Sequence, residues 1–156
     1  MLGHLAEILV GILAVLILIA AAWDVRTRTI PNWLNGAIAV LAIPFWWASG
    51  LDLWPDIALQ IGIAVAVFGL FTIAFAYGAM GGGDVKMVGA LALWLPPAAV
   101  VMMLIIMSLA GGALTAVMLV RHRVSKAQHQ LEIPYGVAIA MAGIWLIGER
   151  FLNQFA

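Results

Sequence analysis

Long apolar stretches, separated by short polar segments, make up most of this chain. A helix needs about 17–25 mainly apolar residues to cross a bilayer. Three stretches in the first half of the chain meet this requirement, and we expect one helix from each: Leu5–Trp23, Leu34–Gly50 and Ile57–Met80. The pattern therefore predicts a helical membrane protein rather than a soluble domain.

The second half begins with an uncharged stretch, Met87–Val120, that is too long for one span. A Pro-Pro pair divides it, because proline removes a backbone donor and clashes with the preceding turn. We expect a short fourth helix at about Asp84–Leu95 and a fifth at about Pro97–Val120. A polar segment then leads to a sixth apolar stretch, Ile133–Gly148.

Positive charges test this number of helices, because lysine and arginine concentrate in the cytoplasmic loops of membrane proteins. With six spans and both termini outside, these basic residues fall on the cytoplasmic side: Arg26, Arg28, Lys86, Arg121, Arg123 and Lys126. Only Arg150 falls on the other side. A re-entrant fourth segment would put Lys86 and the Arg121 cluster on opposite sides. We therefore predict an all-α membrane protein with six transmembrane helices and both termini outside, formed as one integral membrane domain of residues 1–156.

Composition agrees with this pattern and excludes several kinds of site. The chain is 66% hydrophobic and 9% charged, against about 25% charged residues in soluble domains, and its mean hydropathy is +1.16. The formal net charge is zero, so no basic face for nucleic acid is expected. The absence of cysteine excludes disulfides and cysteine-based metal sites. The N-terminus lacks the positive segment of a signal peptide, so we expect the first helix to be retained.

Two aspartates stand at the ends of apolar stretches. Asp24 ends the first predicted helix and Asp84 begins the fourth, so the predicted topology puts both at the cytoplasmic side and at one depth. A charge is costly at membrane depth, which makes an ionisable residue there a candidate functional site. Two carboxyl groups close together share a proton, so one can take a proton from water while the other donates one. The pair indicates a hydrolase built into the bilayer, with metal-free catalysis.

Each aspartate also has a simpler interpretation. Asp84 could cap the fourth helix, since aspartate is a preferred N-cap residue. Asp24 could form an ordinary ion pair with one of the arginines that follow it. The glycines directly before Asp84 favour the functional interpretation, because residues without side chains let an extended substrate segment approach closely. These glycines are Gly81, Gly82 and Gly83.

Two polar residues near the aspartates are candidates for shaping the site. Lys86 could tune the carboxylate pair or attract an acidic group of a substrate, or it could be an ordinary positive anchor at the cytoplasmic face. Asn32 could fix the loop beside Asp24 through a side-chain hydrogen bond, or it could cap the second helix.

The start of the sixth helix supplies three more candidates, Pro134, Tyr135 and Gly136. Proline and glycine interrupt the helix at the predicted cytoplasmic side, where Tyr135 could line a substrate groove or anchor at the interface. Most tryptophans also fall near predicted interfaces, and we expect them to form aromatic belts there. They include Trp23, Trp33, Trp46, Trp47, Trp54 and Trp94.

Three segments, in order along the chain, resemble motifs of the type IV prepilin peptidases, which are GxGD-type aspartic membrane peptidases. Gly81–Asp84 fits the GxGD motif, and the next two residues continue the likeness. Asp24–Asn32 is similar to the segment that holds the first catalytic aspartate of the family, including its Ile-Pro-Asn. Ile133–Ala140 resembles the C-terminal motif of the family. The three likenesses together span nearly the whole chain.

This resemblance implies a GxGD-type peptidase bundle in the inner membrane, with Asp24 and Asp84 as the catalytic pair facing the cytoplasm. It implies removal of a short basic leader from a prepilin or pseudopilin, next to the hydrophobic N-terminal helix of that precursor. It implies no cofactor, and it leaves the pilus assembly machinery open as a partner. Larger members also carry a domain with two cysteine pairs and methylate the pilin. This cysteine-free chain is similar to the small class that serves Flp/Tad-type pili.

Other functions stay open on the sequence alone. Archaeal preflagellin peptidases share the same GxGD arrangement and differ in substrate. A small proton-coupled transporter could use both carboxylates as a relay, although a transporter should place them near the bilayer midplane at a repeat interface. A non-catalytic assembly subunit would keep its function when either aspartate is changed to asparagine.

Overall fold

The computed structural model describes the backbone of residues 2–125 and 135–154, and the side chains of residues 4–120 and 135–149. All regular structure in these ranges is helical, as expected. The α-helices are α1 (Leu2–Thr27), α2 (Asn32–Ala48), α3 (Ala58–Ala76), α4 (Gly82–Ala92), α5 (Pro97–Ser125) and α6 (Tyr135–Gln154). A π-helical turn, Leu53–Ile57, leads into α3. The predicted start of the sixth helix at Ile133 lies outside the described residues.

Within the described residues, three helical segments are long and apolar enough to cross a membrane: His4–Thr27, Leu53–Ala76 and Pro97–Val120. The chain is therefore a membrane protein. The helices α2 and α4 are shorter, with 17 and 11 residues. At about 1.5 Å per residue, α4 is roughly 16 Å long, about half the thickness of a hydrocarbon core of about 30 Å. That all six helices cross the membrane stays a prediction.

Consecutive helices run in opposite directions between the two ends of the bundle. One end brings together the last turn of α1, the segment after α3, and the first residues of α4 and α6. The other end brings together the segment after α2, the first turns of α3 and α5, and the end of α4. The connection between α1 and α2 therefore lies beside the connection between α3 and α4.

The short helix α4 lies at the centre of the bundle, between α2, α3 and α6. Every residue from Asp84 to Ala92 is buried except Lys86. Small side chains and a glycine on α4 allow this close packing; a Cβ at Gly89 would lie 3.1 Å from the ring of Phe68 on α3. The central position of α4 fixes the depth and orientation of Asp84.

Two tryptophans join α2 to α4 instead of forming a belt. The Nε1–H of Trp46 donates to the carbonyl oxygen of Leu93 at 2.7 Å, and the Nε1–H of Trp94 donates to that of Ile38 at 2.9 Å. The ring of Phe45 stacks on Trp94 at a centroid distance of 4.7 Å. The expectation of an interfacial belt is wrong for Trp46 and Trp94, because buried indoles find carbonyl partners between helices.

Candidate active site

A cavity of about 560 Å³ opens at the end of the bundle where α1 ends and α4 begins. Asp24 of α1 and Asp84 of α4 both line it, together with Tyr135 of α6. The segments 27–29 and 78–81 complete its wall. We call this the carboxylate cavity. The structure thus brings together two aspartates that are far apart in the sequence.

Asp24 lies in the last turn of α1, because α1 continues to Thr27 rather than ending at Trp23. Its side chain is only 4% exposed. The backbone amides of Gly136 and Val137, at the start of α6, face the carboxyl group, and Arg28 attracts it by a longer-range Coulombic interaction. Oδ2 of Asp24 has no hydrogen-bond partner within the described residues. One oxygen of this buried carboxyl group therefore makes no hydrogen bond to the part of the chain that the structure describes.

Asp84 lies in the first turn of α4, where the helix dipole favours a negative charge. The N-cap residue is Gly81, so the interpretation of Asp84 as the N-cap is wrong. Asp84 is 7% exposed. The backbone amide of Gly81 faces its carboxyl group, while the charge of Asp24 repels it. Oδ1 of Asp84 has no hydrogen-bond partner in the described part of the chain.

No ion pair to either aspartate is formed among the side chains that the structure describes, where the one ion pair joins His4 and Glu7. The alternative of an ordinary Asp24–arginine ion pair is therefore not supported within residues 4–120 and 135–149. Both carboxyl groups are buried, and each has an oxygen without a hydrogen-bond partner among the described residues. Burial of an unpaired polar atom lowers the stability of the fold, and a catalytic role is one explanation for such an atom. The cavity thus brings together the two kinds of group that hydrolysis by carboxyl groups needs, one to take a proton from water and one to donate a proton.

Two glycines make room for the aspartates themselves. A Cβ at Gly136 would lie 2.7 Å from Oδ2 of Asp24 and 2.9 Å from Cδ1 of Ile30. A Cβ at Gly81 would lie 2.9 Å from Oδ2 of Asp84. A side chain at either position would therefore displace a carboxyl group.

The other two glycines of the triplet pack against the protein itself. A Cβ at Gly83 would lie 3.1 Å from the backbone nitrogen of Ile30 and 3.2 Å from its carbonyl oxygen. A Cβ at Gly82 would lie 3.3 Å from the ring of Phe75. The expected close backbone approach is present at Gly83, but the approaching backbone is that of Ile30 rather than a substrate. Gly81 alone of the three lines the carboxylate cavity.

Lys86 lies on a different face of α4 from Asp84, where it meets Asn32 of α2. The Nζ of Lys86 donates to Oδ1 of Asn32 at 2.7 Å, and both residues line a separate apolar cavity between α2, α3 and α4. Asn32 is the first residue of α2 and Pro31 is the N-cap, so the expectation that Asn32 caps this helix is wrong. The pair joins α2 to α4 beside the site rather than entering the carboxylate cavity.

Sequence reasoning did not single out Asn35, which supports the site from α2. Its Nδ2–H donates to the carbonyl oxygen of Gly83 at 3.0 Å, and its side chain is buried. It therefore ties α2 to the segment that carries Asp84. A lone amide inside an apolar helix was the signal that could have identified it.

Tyr135 and Gly136 reach the site from α6, as the sequence suggested for this region. Tyr135 lines the carboxylate cavity, and its hydroxyl group lies 3.5 Å from the Oγ1 of Thr115 on α5. Pro134 lies outside the described residues. The described side chains include no group of three or more His, Asp or Glu that could hold a metal ion.

Comparison with known proteins gives one family. The model of the type IV leader peptidase family matches residues 11–116, which include most of α1, all of α2 to α4, most of α5 and both aspartates of the cavity. No curated protein and no solved structure matches the chain significantly.

Proposed function

The chain belongs to the type IV leader peptidase family, and we propose that it is an aspartic endopeptidase that removes leader peptides from prepilin or pseudopilin precursors. The observation that carries this proposal is the carboxylate cavity. It holds two buried carboxyl groups from different helices, each with an oxygen that lacks a partner among the described residues. Such a pair is suited to activating water without a metal ion.

In the proposed mechanism Asp24 and Asp84 share one proton and hold one water molecule between them. The ionised carboxylate takes a proton from this water, and the resulting hydroxide attacks the scissile carbonyl carbon. The protonated carboxyl group donates its proton to the carbonyl oxygen. As the tetrahedral intermediate collapses, the C–N bond breaks and the proton taken from water passes to the leaving nitrogen. One hydroxyl group of the intermediate returns its proton to a carboxylate as the carbonyl group re-forms. The two carboxyl groups end the cycle sharing one proton again.

The distribution of charge supports an active site that faces the cytoplasm of the inner membrane. Arg26, Arg28 and Lys86 all lie at the end of the bundle that contains the carboxylate cavity, and basic residues favour the cytoplasmic side. Asp52 and Asp56 lie in the connection at the opposite end. The alternating helix directions support six spans with both termini outside. We propose that residues 1–156 form one membrane peptidase domain.

The proposed substrate has a hydrophilic leader followed by a hydrophobic N-terminal helix. The leader would reach the cavity from the cytoplasm while the helix stays in the lipid bilayer. The pilus assembly machinery is proposed as the consumer of the cleaved product. An archaeal-type preflagellin would present the same two parts to the same site. Cleavage of a prepilin and of a preflagellin must therefore be compared directly.

The test is leader removal in cells that express this protein with a candidate prepilin, read as a mobility shift. We expect wild type to cleave, and Asp24→Asn and Asp84→Asn each to lose activity by about 10²–10⁴-fold, since each removes one partner of acid–base catalysis. Asp52→Asn is the matched control, because Asp52 is exposed at the other end of the bundle.

All variants are compared at equal membrane levels. Cleavage that survives either substitution would refute the two-carboxylate mechanism. A preflagellin processed in place of every prepilin tested would shift the substrate assignment. If neither precursor is cut, while either substitution abolishes proton flux into vesicles, the transporter is the correct function.

A further inference from the structure

A groove of about 450 Å³ between α3 and α5 joins the carboxylate cavity. Three residues, Ala79, Met80 and Tyr135, line both spaces. The groove extends from this junction along α3 to Phe71 and along α5 to Met107. We call it the α3–α5 groove. It is the continuation of the candidate active site into the apolar part of the bundle.

The groove opens sideways because α3 and α5 touch only weakly, whereas α5 packs closely on α6. Large apolar side chains near its edges are exposed, among them Ile73 of α3 and Leu109 of α5. In a membrane protein, such exposed apolar surface faces acyl chains. The groove therefore has a side that faces the bilayer, in addition to its junction with the carboxylate cavity.

Beyond Met107, small residues form the α5 wall of the groove, at helical spacing: Ser108, Gly111, Gly112 and Thr115. The hydroxyl groups do not make this wall polar. Ser108 donates to the carbonyl oxygen of Leu104 at 2.6 Å, and Thr115 donates to that of Gly111 at 2.7 Å. Because both hydroxyl groups donate within α5, neither donates into the groove. The short side chains leave space for a bound segment along this wall.

Tyr135 forms the boundary between the groove and the carboxylate cavity. Its ring lies against α5 at Gly111, where a Cβ would be 3.3 Å from the ring. A segment that passes from the groove to the aspartates must pass this ring. Gly112 is different from Gly111: a Cβ there meets nothing within 4 Å, so its side of α5 faces the open groove.

We propose that the α3–α5 groove receives the hydrophobic helix of the precursor, with the chain passing Tyr135 to reach Asp24 and Asp84. This rests on the proposed function and identifies where its substrate docks. The continuity of the groove with the carboxylate cavity selects this occupant over a lipid, because the scissile bond must follow directly from the docked helix. The groove covers only part of a helix about 10 Å wide, so the rest of the helix stays in contact with lipid.

The first test fills the groove. Gly112→Leu places a side chain in the open groove without a clash inside the protein, and overpacking at a docking surface should slow cleavage of the membrane precursor by about tenfold or more. Gly69→Leu is the matched control, since a Cβ at Gly69 of α3 also meets nothing within 4 Å and this position does not line the groove. We expect Gly69→Leu to cleave at the wild-type rate.

The second test maps contact directly and does not require the leucine variant to fold. The chain has no cysteine, so Gly112→Cys and Gly69→Cys each introduce a single thiol. A precursor with one cysteine in its hydrophobic helix is trapped with each variant in the Asp84→Asn background and oxidised. We expect a disulfide cross-link to position 112 and none to position 69.

The outcomes separate this proposal from the one on which it rests. If wild type cleaves, equal rates for Gly112→Leu and wild type, or cross-linking at position 69 instead of 112, would overturn the groove as the docking site and leave the peptidase intact. If wild type does not cleave any precursor, the peptidase proposal fails and the docking proposal fails with it.

Discussion

At the scale of single residues, the contacts of Ile30 help to determine where the two carboxyl groups lie. Its backbone lies against Gly83, just before Asp84, and its Cδ1 lies where a Cβ of Gly136 would point, beside Asp24. Ile30 thus packs between the two segments that position the carboxyl groups. A methyl group at position 83 would press on the Ile30 backbone at 3.1 Å, and one at position 136 would overlap Asp24 and the end of the Ile30 side chain.

We predict that Gly136→Ala inactivates the enzyme more than it destabilises the fold. The new methyl group would overlap Oδ2 of Asp24 at 2.7 Å, and displacement of a catalytic group by about 1 Å costs on the order of 10²-fold in rate. The measurement is the initial rate of leader removal in detergent, with the melting temperature recorded for the same preparation.

Gly148→Ala is the control for this change. It lies on the same helix, α6, and a Cβ there meets nothing within 4 Å, so it should keep wild-type activity and gain slightly in helix propensity. Equal rates for both alanine variants would show that Gly136 has no positioning role.

The residue types at the site could be read from the sequence, but not all of their contacts. The charges and the glycine run identified Asp24, Asp84 and Gly81 because a polar residue at the end of an apolar stretch is conspicuous. The partner of Gly83 could not be inferred, since the approach of Ile30 depends on how α1 and α4 are placed by the whole bundle. Lys86 was assigned near the pair by sequence distance, and its direction on α4 points it to Asn32 instead.

At the scale of helices, the packing of α2 on α4 determines where Asp84 lies. Besides the two indole hydrogen bonds, the Nδ2–H of Asn35 donates to the carbonyl oxygen of Gly83 at 3.0 Å. This bond lies at the end of α4 that carries Asp84, whereas the tryptophans hold its other end. The short central helix is thus fixed at both ends by the same neighbour.

We predict that Asn35→Ala lowers both stability and activity. Loss of a buried hydrogen bond costs about 1–3 kcal/mol, and loosening the start of α4 moves Asp84. Thermal unfolding in detergent and the rate of leader removal measure the two effects. Asn32→Ala is the control, because it removes an exposed hydrogen bond to Lys86; a loss as large as that of Asn35→Ala would contradict the special role of the buried amide.

Apolar length and the Pro-Pro pair predicted the order and approximate bounds of the helices. They could not show that Trp46 and Trp94 face the interior, because the acceptor of each indole is a carbonyl oxygen of another helix. An exposed belt tryptophan and a buried one look alike when the helix partner is unknown.

At the scale of the whole molecule, both ends of α3 test the proposed topology. Leu53, before α3, is 81% exposed and Tyr77, after it, is 84% exposed. In a chain without cysteine, Leu53→Cys and Tyr77→Cys each give one accessible thiol. With an impermeant maleimide on intact spheroplasts, we expect labelling of Leu53→Cys at once and of Tyr77→Cys only after permeabilisation.

Labelling of both variants from outside would contradict a membrane-spanning α3, and the reversed order would put the carboxylate cavity on the outer face. The basic residues alone predicted that the end of the bundle with the carboxylate cavity faces the cytoplasm. It could not show how the helices come together at that end, because charge assigns a side of the membrane but not which helices are neighbours.

The shortness of α4 has a consequence for the lipid surroundings of the enzyme. In the proposed topology a helix of roughly 16 Å leaves the rest of the hydrocarbon thickness on the cytoplasmic side to the carboxylate cavity, so water descends well below the headgroups. The hydrophobic thickness of the protein would then be locally smaller than that of the bilayer. Hydrophobic mismatch with the surrounding acyl chains would change how deeply water enters the cavity. Acyl-chain length would become a regulator of turnover, independent of any residue that touches the substrate.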